Sequence, residues 1–289
     1  MDRHEFGSDG LRVAVKAVGG ELCSLRDGGG TELLWQAGPE WPRHSPILFP
    51  IVGELKDERL ILDGRSYTMR RHGVIRERRF EWVERRGDGC RLRIVDDPET
   101  RAAYPFAFRF DVDYMARGTM LEIRYVVTNP GGVDLPFSVG AHPAFRWPLR
   151  PGLRKEDHRL VFERPEPAPI RRLNSAGLLK REPVPTPIEG RELRLSPDLF
   201  RADAVVLDRL ESGHVSYLMP EGGGLEVSWE GFPQLGIWSK PEGAEFLCIE
   251  PWCGYASPAD FDGDFRDKPG LLHLAPGEQR TFIHRMRLV

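Results

Sequence analysis

Alternation of apolar and polar positions dominates the chain. From Phe106 to Tyr114 every second residue is apolar (Phe106, Phe108, Phe110, Val112, Tyr114), and Leu121, Ile123, Tyr125 and Val127 repeat the pattern in the next segment. Residues i and i+2 of a strand share a face, so these stretches predict two antiparallel strands of a half-buried sheet. Leu11 to Val18 alternates as well, and Gly19-Gly20 turns the chain into Glu21 to Leu25 as a hairpin. A second hairpin is predicted where Asp63-Gly64 separates Leu60-Ile61-Leu62 from Arg65-Ser66-Tyr67. Further strand-like runs fall at 32–36, 80–83, 91–95, 204–207, 215–218, 225–229, 235–238 and 281–289. Only short helical turns are expected, around 98–103, 196–200 and 257–261. So many strands with tight turns predict an all-β fold of two packed sheets, because one open sheet of that size would leave an apolar face in water. The proline-rich stretches at 39–50 and 164–187 read as ordered excursions from one sheet system, so residues 1–289 are read as a single domain.

Composition narrows the function classes. With 41 basic and 44 acidic residues the net charge is −3, and the arginine-rich patches are interrupted by acids, as in Arg76-Glu77-Arg78-Arg79-Phe80-Glu81. That is not a nucleic-acid footprint. The N-terminus lacks an apolar core of signal-peptide length, and no run approaches the roughly 18 apolar residues of a membrane helix, so a cytoplasmic protein without membrane contact is expected. Cys23, Cys90, Cys248 and Cys253 show no metal-knuckle spacing and read as free thiols. Gly28-Gly29-Gly30 lies in a turn and not between a strand and a helix, so it is no phosphate cradle.

Candidate chemistry concentrates in three stretches. Phe137 to Phe145 holds His142 directly before Pro143, which keeps the histidine in extended or turn geometry at a strand end. Arg70 to Arg76 carries His72 beside Gly73, and Cys248 to Tyr255 carries Glu250 beside Pro251. A buried carboxylate and imidazoles brought together by a fold are the parts of general acid and base catalysis. Trp238 and Trp252 supply flat apolar surfaces within two stretches that carry ionisable or glycine-flanked residues. A metal site made of His72, His142 and Glu250 lacks the close paired spacing of zinc ligands, and no metal or other cofactor is expected.

Six strings, in order along nearly the whole chain, resemble the aldose 1-epimerase (galactose mutarotase) family and its LacX-like branch. They are Pro46 to Gly53, Arg71-His72-Gly73 with Arg76, Gly140 to Phe145, Phe232 to Lys240, Cys248 to Trp252, and Leu274 to Glu278. The resemblance implies a large antiparallel β-supersandwich with a sugar cleft, acting on a small-molecule sugar as a monomer or homodimer. It implies His142 as general acid, Glu250 as general base, His72 and Asp203 as sugar contacts, and Arg76 at the cleft rim. The implied reaction is α/β anomer interconversion of a free hexose by ring opening and closure. Hexose-6-phosphate epimerisation and non-catalytic sugar binding are the alternatives. Glu54 stands where the branch often has arginine, which favours an uncharged sugar. Strand alternation is expected to send Arg70 and Arg71 to opposite faces, leaving at most one for the cleft.

Overall fold

The computed structural model describes residues 2–241 and 243–289. The two alternating segments form the strands Arg109–Arg117 and Met120–Thr128, paired antiparallel in the interior of a nine-stranded sheet. Phe108, Phe110, Val112, Tyr114, Leu121, Ile123, Tyr125 and Val127 are all buried beneath it. The opposite face carries crossed ion pairs: Arg93 Nε donates to Asp111 at 2.7 Å, Arg285 Nε to Glu122 at 2.8 Å, and Arg287 Nη2 to Glu226 at 2.8 Å. The outermost strands of this sheet, Glu81–Arg85 and Glu192–Arg194, are short and largely charged.

A second, six-stranded sheet faces the first. Its path runs through Val205–Leu207, Gln234–Trp238, Phe246–Cys253, Val139–Ala141 and Ile47–Leu48, with Ala144–Arg146 pairing beside them on Phe246–Cys253. Leu207, Leu235, Ile237, Leu247 and Ile249 point from it into a continuous core whose buried members run from Phe6 to Met286. Phe49 sits between the sheets, its ring centroid 5.0 Å from Phe108, 5.3 Å from Phe110 and 5.8 Å from Phe137. Together these layers make a large antiparallel β-supersandwich. Smaller hairpins flank it, including the expected one at Asp63-Gly64, which joins Arg59–Leu62 to Arg65–Thr68.

Two local expectations change, at 32–36 and 257–261, and one strand lies outside those expected. A strand at Arg3–Ser8 pairs with Leu11–Lys16 although its sequence hardly alternates. Residues 32–36 form only isolated bridges, because the Glu32 carboxylate takes the Leu25 and Leu34 amides at 2.9 and 3.1 Å that a ladder would use. The helical turn expected at 98–103 is present as a six-residue α-helix, Pro98–Ala103, capped by Asp97, whose side chain accepts from the Thr100 amide at 2.7 Å. At 257–261 there is no helical turn: the Ser257 and Ala259 amides bond to Glu54 and Leu179, and the 3₁₀ turn lies further on at Phe265–Asp267.

Truncating the ring that joins the two sheets is expected to be severe. Phe49→Ala should lower unfolding free energy by about 3–5 kcal/mol, read from urea denaturation midpoints at unchanged m-value. A loss under about 1 kcal/mol would mean that the sheets do not depend on this contact.

Candidate functional site

The six-stranded sheet has a second face, and alternation decides what stands on it. Along Phe246–Cys253, whose eight residues are all buried, Leu247, Ile249 and Cys253 enter the main core while Cys248, Glu250 and Trp252 project the other way. Val206 and Trp238 join them from neighbouring strands. Glu250 is therefore at mid-strand and not at a strand end. It stands opposite Gly236, and Trp252 lies flat over that glycine, where a Cβ would come within 2.3 Å of the ring.

Loops roof this face and leave a cavity of about 150 Å³. All seven residues singled out from the sequence line it: His72, Arg76, His142, Asp203, Trp238, Glu250 and Trp252. The Val139–Ala141 strand ends just before His142, whose amide donates to Pro46 O at 3.1 Å. Its ring stacks on Trp41 at 5.0 Å and meets Trp238 and His72 edge-on at 6.0 and 5.4 Å. His142 Nε2 lies 3.2 Å from Glu250 Oε2. That contact is out of line for a hydrogen bond, so Glu250 Oε2 has no partner, and neither do His142 Nδ1 and Trp252 Nε1. Buried polar atoms of this kind are costly unless something else satisfies them, and a polyhydroxyl ligand supplies both donors and acceptors.

Burial sets the charge state. Loss of hydration, reinforced by the Asp203 charge, pushes the Glu250 carboxyl well above the usual carboxylate range. Burial pulls His142 down to about 3, with Arg76, Arg43 and Arg71 opposing any added positive charge. Burial thus opposes charge on both members of the pair, and their titrations are coupled. His72 is also held neutral by burial, and its tautomer follows from geometry: Nδ1 accepts the Gly53 amide at 3.1 Å, which leaves the proton on Nε2. Both His72 and Asp203 have positive φ, 66° and 64°. Such strain in non-glycine residues persists only where the surroundings over-determine it: the His72 amide bonds to Gly53 O at 2.8 Å, and Asp203 Oδ1 caps the Ala204 amide at 2.7 Å.

Sequence reasoning missed much of the roof. Trp41 lies in the proline-rich loop, which buried Glu21 holds by accepting the His44 and Ser45 amides at 2.8 and 2.9 Å. Leu173, Gly177 and Leu179 come from the second proline-rich excursion, tied to the sheet by an Arg171↔Val206 bridge. Arg71 lines the cavity and Arg70 does not, but the cause is not strand alternation, since residues 70–72 lie outside any strand, with 71 and 72 in a turn. Arg71 Nε donates to Glu54 Oε2 at 2.5 Å, and its guanidinium fills the space a Cβ at Gly177 would need. The Glu54 carboxylate is therefore matched to a cation beside the cavity and is not itself part of the lining.

Tyr255 lines one end, where the buried Lys268 donates to its carbonyl at 2.7 Å. Burial lowers Lys268 to about 7. An unfolded lysine titrates near 10.4, so between about pH 7 and 10 the unfolded chain binds more protons at this site, and this residue's contribution to stability rises with pH. Comparing denaturation midpoints of the wild type and Lys268→Met at either end of that window, the difference should shift in favour of the wild type as pH rises. A pH-independent difference would contradict the buried charge.

Comparison with known proteins gives one consistent result. The family model described as aldose 1-epimerase matches residues 2–286. The chain is 34% identical over 282 residues to the chromosomal protein LacX of Lactococcus lactis subsp. lactis, covering 94% of both chains. A galactose mutarotase related enzyme from Lactobacillus acidophilus superposes with a TM-score of 0.90 at 32% identity, covering 99% of this chain and 97% of that one. A galactose mutarotase-like protein from Lactobacillus casei superposes at 0.91 with 27% identity, covering 99% and 100%.

Proposed function

The chain belongs to the aldose 1-epimerase family, and from that premise we propose that it interconverts the α and β anomers of an uncharged hexose. One observation carries the reading: a carboxyl group and an imidazole 3.2 Å apart on the floor of a cavity walled by tryptophan, with Glu250 Oε2 and His142 Nδ1 left without hydrogen-bond partners. Ring opening needs a proton taken from the C1 hydroxyl and a proton given to the ring oxygen. The proton that Glu250 holds passes across the 3.2 Å contact to His142, after which the Glu250 carboxylate takes the C1 hydroxyl proton and the His142 imidazolium gives its own to the ring oxygen. After rotation about C1–C2 the same groups run in reverse as the ring closes on the other face. A carboxylate whose proton affinity has been raised by burial is a stronger base than a solvated one, so the dry floor of the cavity assists the step that breaks the O–H bond. Nε2–H of His72 and the Asp203 carboxylate hold sugar hydroxyls, Trp238 and Trp252 lie against its apolar face, and Arg76 closes the rim.

Purified protein should accelerate mutarotation, followed by polarimetry on fresh α-aldoses, and should do so undiminished in chelator. Glu250→Gln and His142→Asn should each lower kcat by about 10²-fold or more, the scale of a positioned acid or base. Near-wild-type rates in either variant would remove that role.

A phosphorylated hexose is the second reading, since Arg71 and Arg76 both line the cavity. The Glu54 carboxylate on Arg71 counts against it, because phosphate would have to displace that pair. kcat/KM is expected to favour glucose over glucose 6-phosphate, and Glu54→Ala should narrow the gap by freeing Arg71. A wild-type preference for the phosphorylated sugar would reverse the assignment.

A further inference from the structure

The strand that supplies the base also supplies a group the reaction does not use. Cys248 lies two residues before Glu250 on Phe246–Cys253, so its thiol projects to the same side as the carboxyl. His142 closes the third side. One ligand atom from each of His142, Cys248 and Glu250 lies within 4.8 Å of the other two, and all three residues are buried. Among the described residues this is the one group of three that meets that spacing.

We propose that His142, Cys248 and Glu250 form a binding site for a thiophilic divalent cation, zinc foremost, and that metal bound there inhibits catalysis by occupying the acid/base pair. The inhibition rests on the function proposed above; the binding does not. Nitrogen, sulfur and oxygen donors, one of each, make a zinc set with a fourth position open. Bond lengths of about 2.0–2.3 Å to tetrahedral zinc put neighbouring ligand atoms roughly 3.3–3.8 Å apart. His142 Nε2 and Glu250 Oε2 already stand at 3.2 Å and the Cys248 sulfur lies within 4.8 Å, so coordination requires the thiol to draw in by on the order of 1 Å.

Charge favours the same class of ion. A thiolate and a carboxylate cancel a dication, and a neutral cluster is the form a water-poor site tolerates best. The two protons displaced are those of the Cys248 thiol and the Glu250 carboxyl. Calcium and magnesium prefer six or more oxygen ligands, which three mixed donors do not offer. Entry is through the cavity, because His142 and Glu250 line it while Cys248 lies behind them. The fourth position faces that opening and is left to water. The strand holding two of the ligands is paired on both sides, by Gln234–Trp238 and by Val139–Ala141 with Ala144–Arg146, which fixes the sulfur and carboxyl against each other before any ion arrives.

The test uses the full chain after treatment with chelator. Titration with Cd²⁺ should give an ultraviolet thiolate-to-metal band that saturates at one equivalent, and Zn²⁺ should compete for the same site and suppress mutarotation in parallel. Cys248→Ala should abolish the band and weaken zinc binding by about tenfold or more, while keeping the mutarotation rate measured in chelator. Cys253→Ala, on the opposite face of the strand, should behave as wild type. A folded wild type without the band, or a Cys248→Ala protein with unchanged zinc affinity, overturns the site. Zinc that binds to an active protein without slowing it overturns the inhibition. A protein showing the band but catalysing no anomer exchange supports the metal site and defeats the function reading, so the two fail separately.

Discussion

A carboxyl group taken out of water holds its proton far more tightly than a solvated one, and the Phe246–Cys253 strand takes Glu250 out of water almost completely, to 1% exposure. The burial is a product of sheet geometry. Strand alternation requires that a chain with Leu247 and Ile249 in the main core present residues 248, 250 and 252 on its other face. That face needs a cover of its own, or three side chains including a tryptophan would be left in water. The roofing loops supply it, and the cavity is what remains where they do not close. His142, Trp41 and Trp238 then define the dielectric in which the carboxyl works, because each displaces water that would otherwise stabilise its anion.

Much of this was legible in the sequence, for a physical reason. The half-buried strands declared themselves through strict alternation, as at Phe106 to Tyr114, and the Asp63-Gly64 hairpin through its turn chemistry. The Phe246–Cys253 strand did not, since burial on both faces erases the alternation on which strand recognition depends. His142, His72 and Glu250 stood out because an ionisable residue beside glycine or proline within apolar sequence is unusual. Trp41 and Leu179 gave no such signal. Their role depends on which stretch of sheet the proline-rich loops cover, a contact distant in sequence that no local pattern encodes. The Arg71–Glu54 pair was also out of reach, although Glu54 itself was conspicuous, because its partner is chosen by a turn.

The site is pre-set by its backbone more than by flexible side chains. His72 and Asp203 are held at positive φ by hydrogen bonds to Gly53 and Ala204, and the Trp41 loop is pinned through Glu21. These restraints reach the cavity from three unrelated segments of the chain. A ligand therefore meets groups whose orientation has already been fixed, and little ordering remains to be done on binding. The same rigidity that sets Glu250 and His142 against each other also keeps Cys248 beside them.

The charged margins of the large sheet carry a consequence of a different kind. A sheet of nine strands ends in two rows of backbone donors and acceptors that another extended chain can join. On one margin, Glu81–Arg85 exposes Glu81, Val83, Glu84 and Arg85, with a register irregularity between Trp82 and Glu84 that breaks the regular ladder. On the other, Glu192–Arg194 is only three residues long. An incoming strand would have to bury like charges or straddle the bulge at one end, and would find too few partners at the other. Growth of this sheet from molecule to molecule is thereby discouraged at both its rims, by charge and irregularity on one side and by brevity on the other.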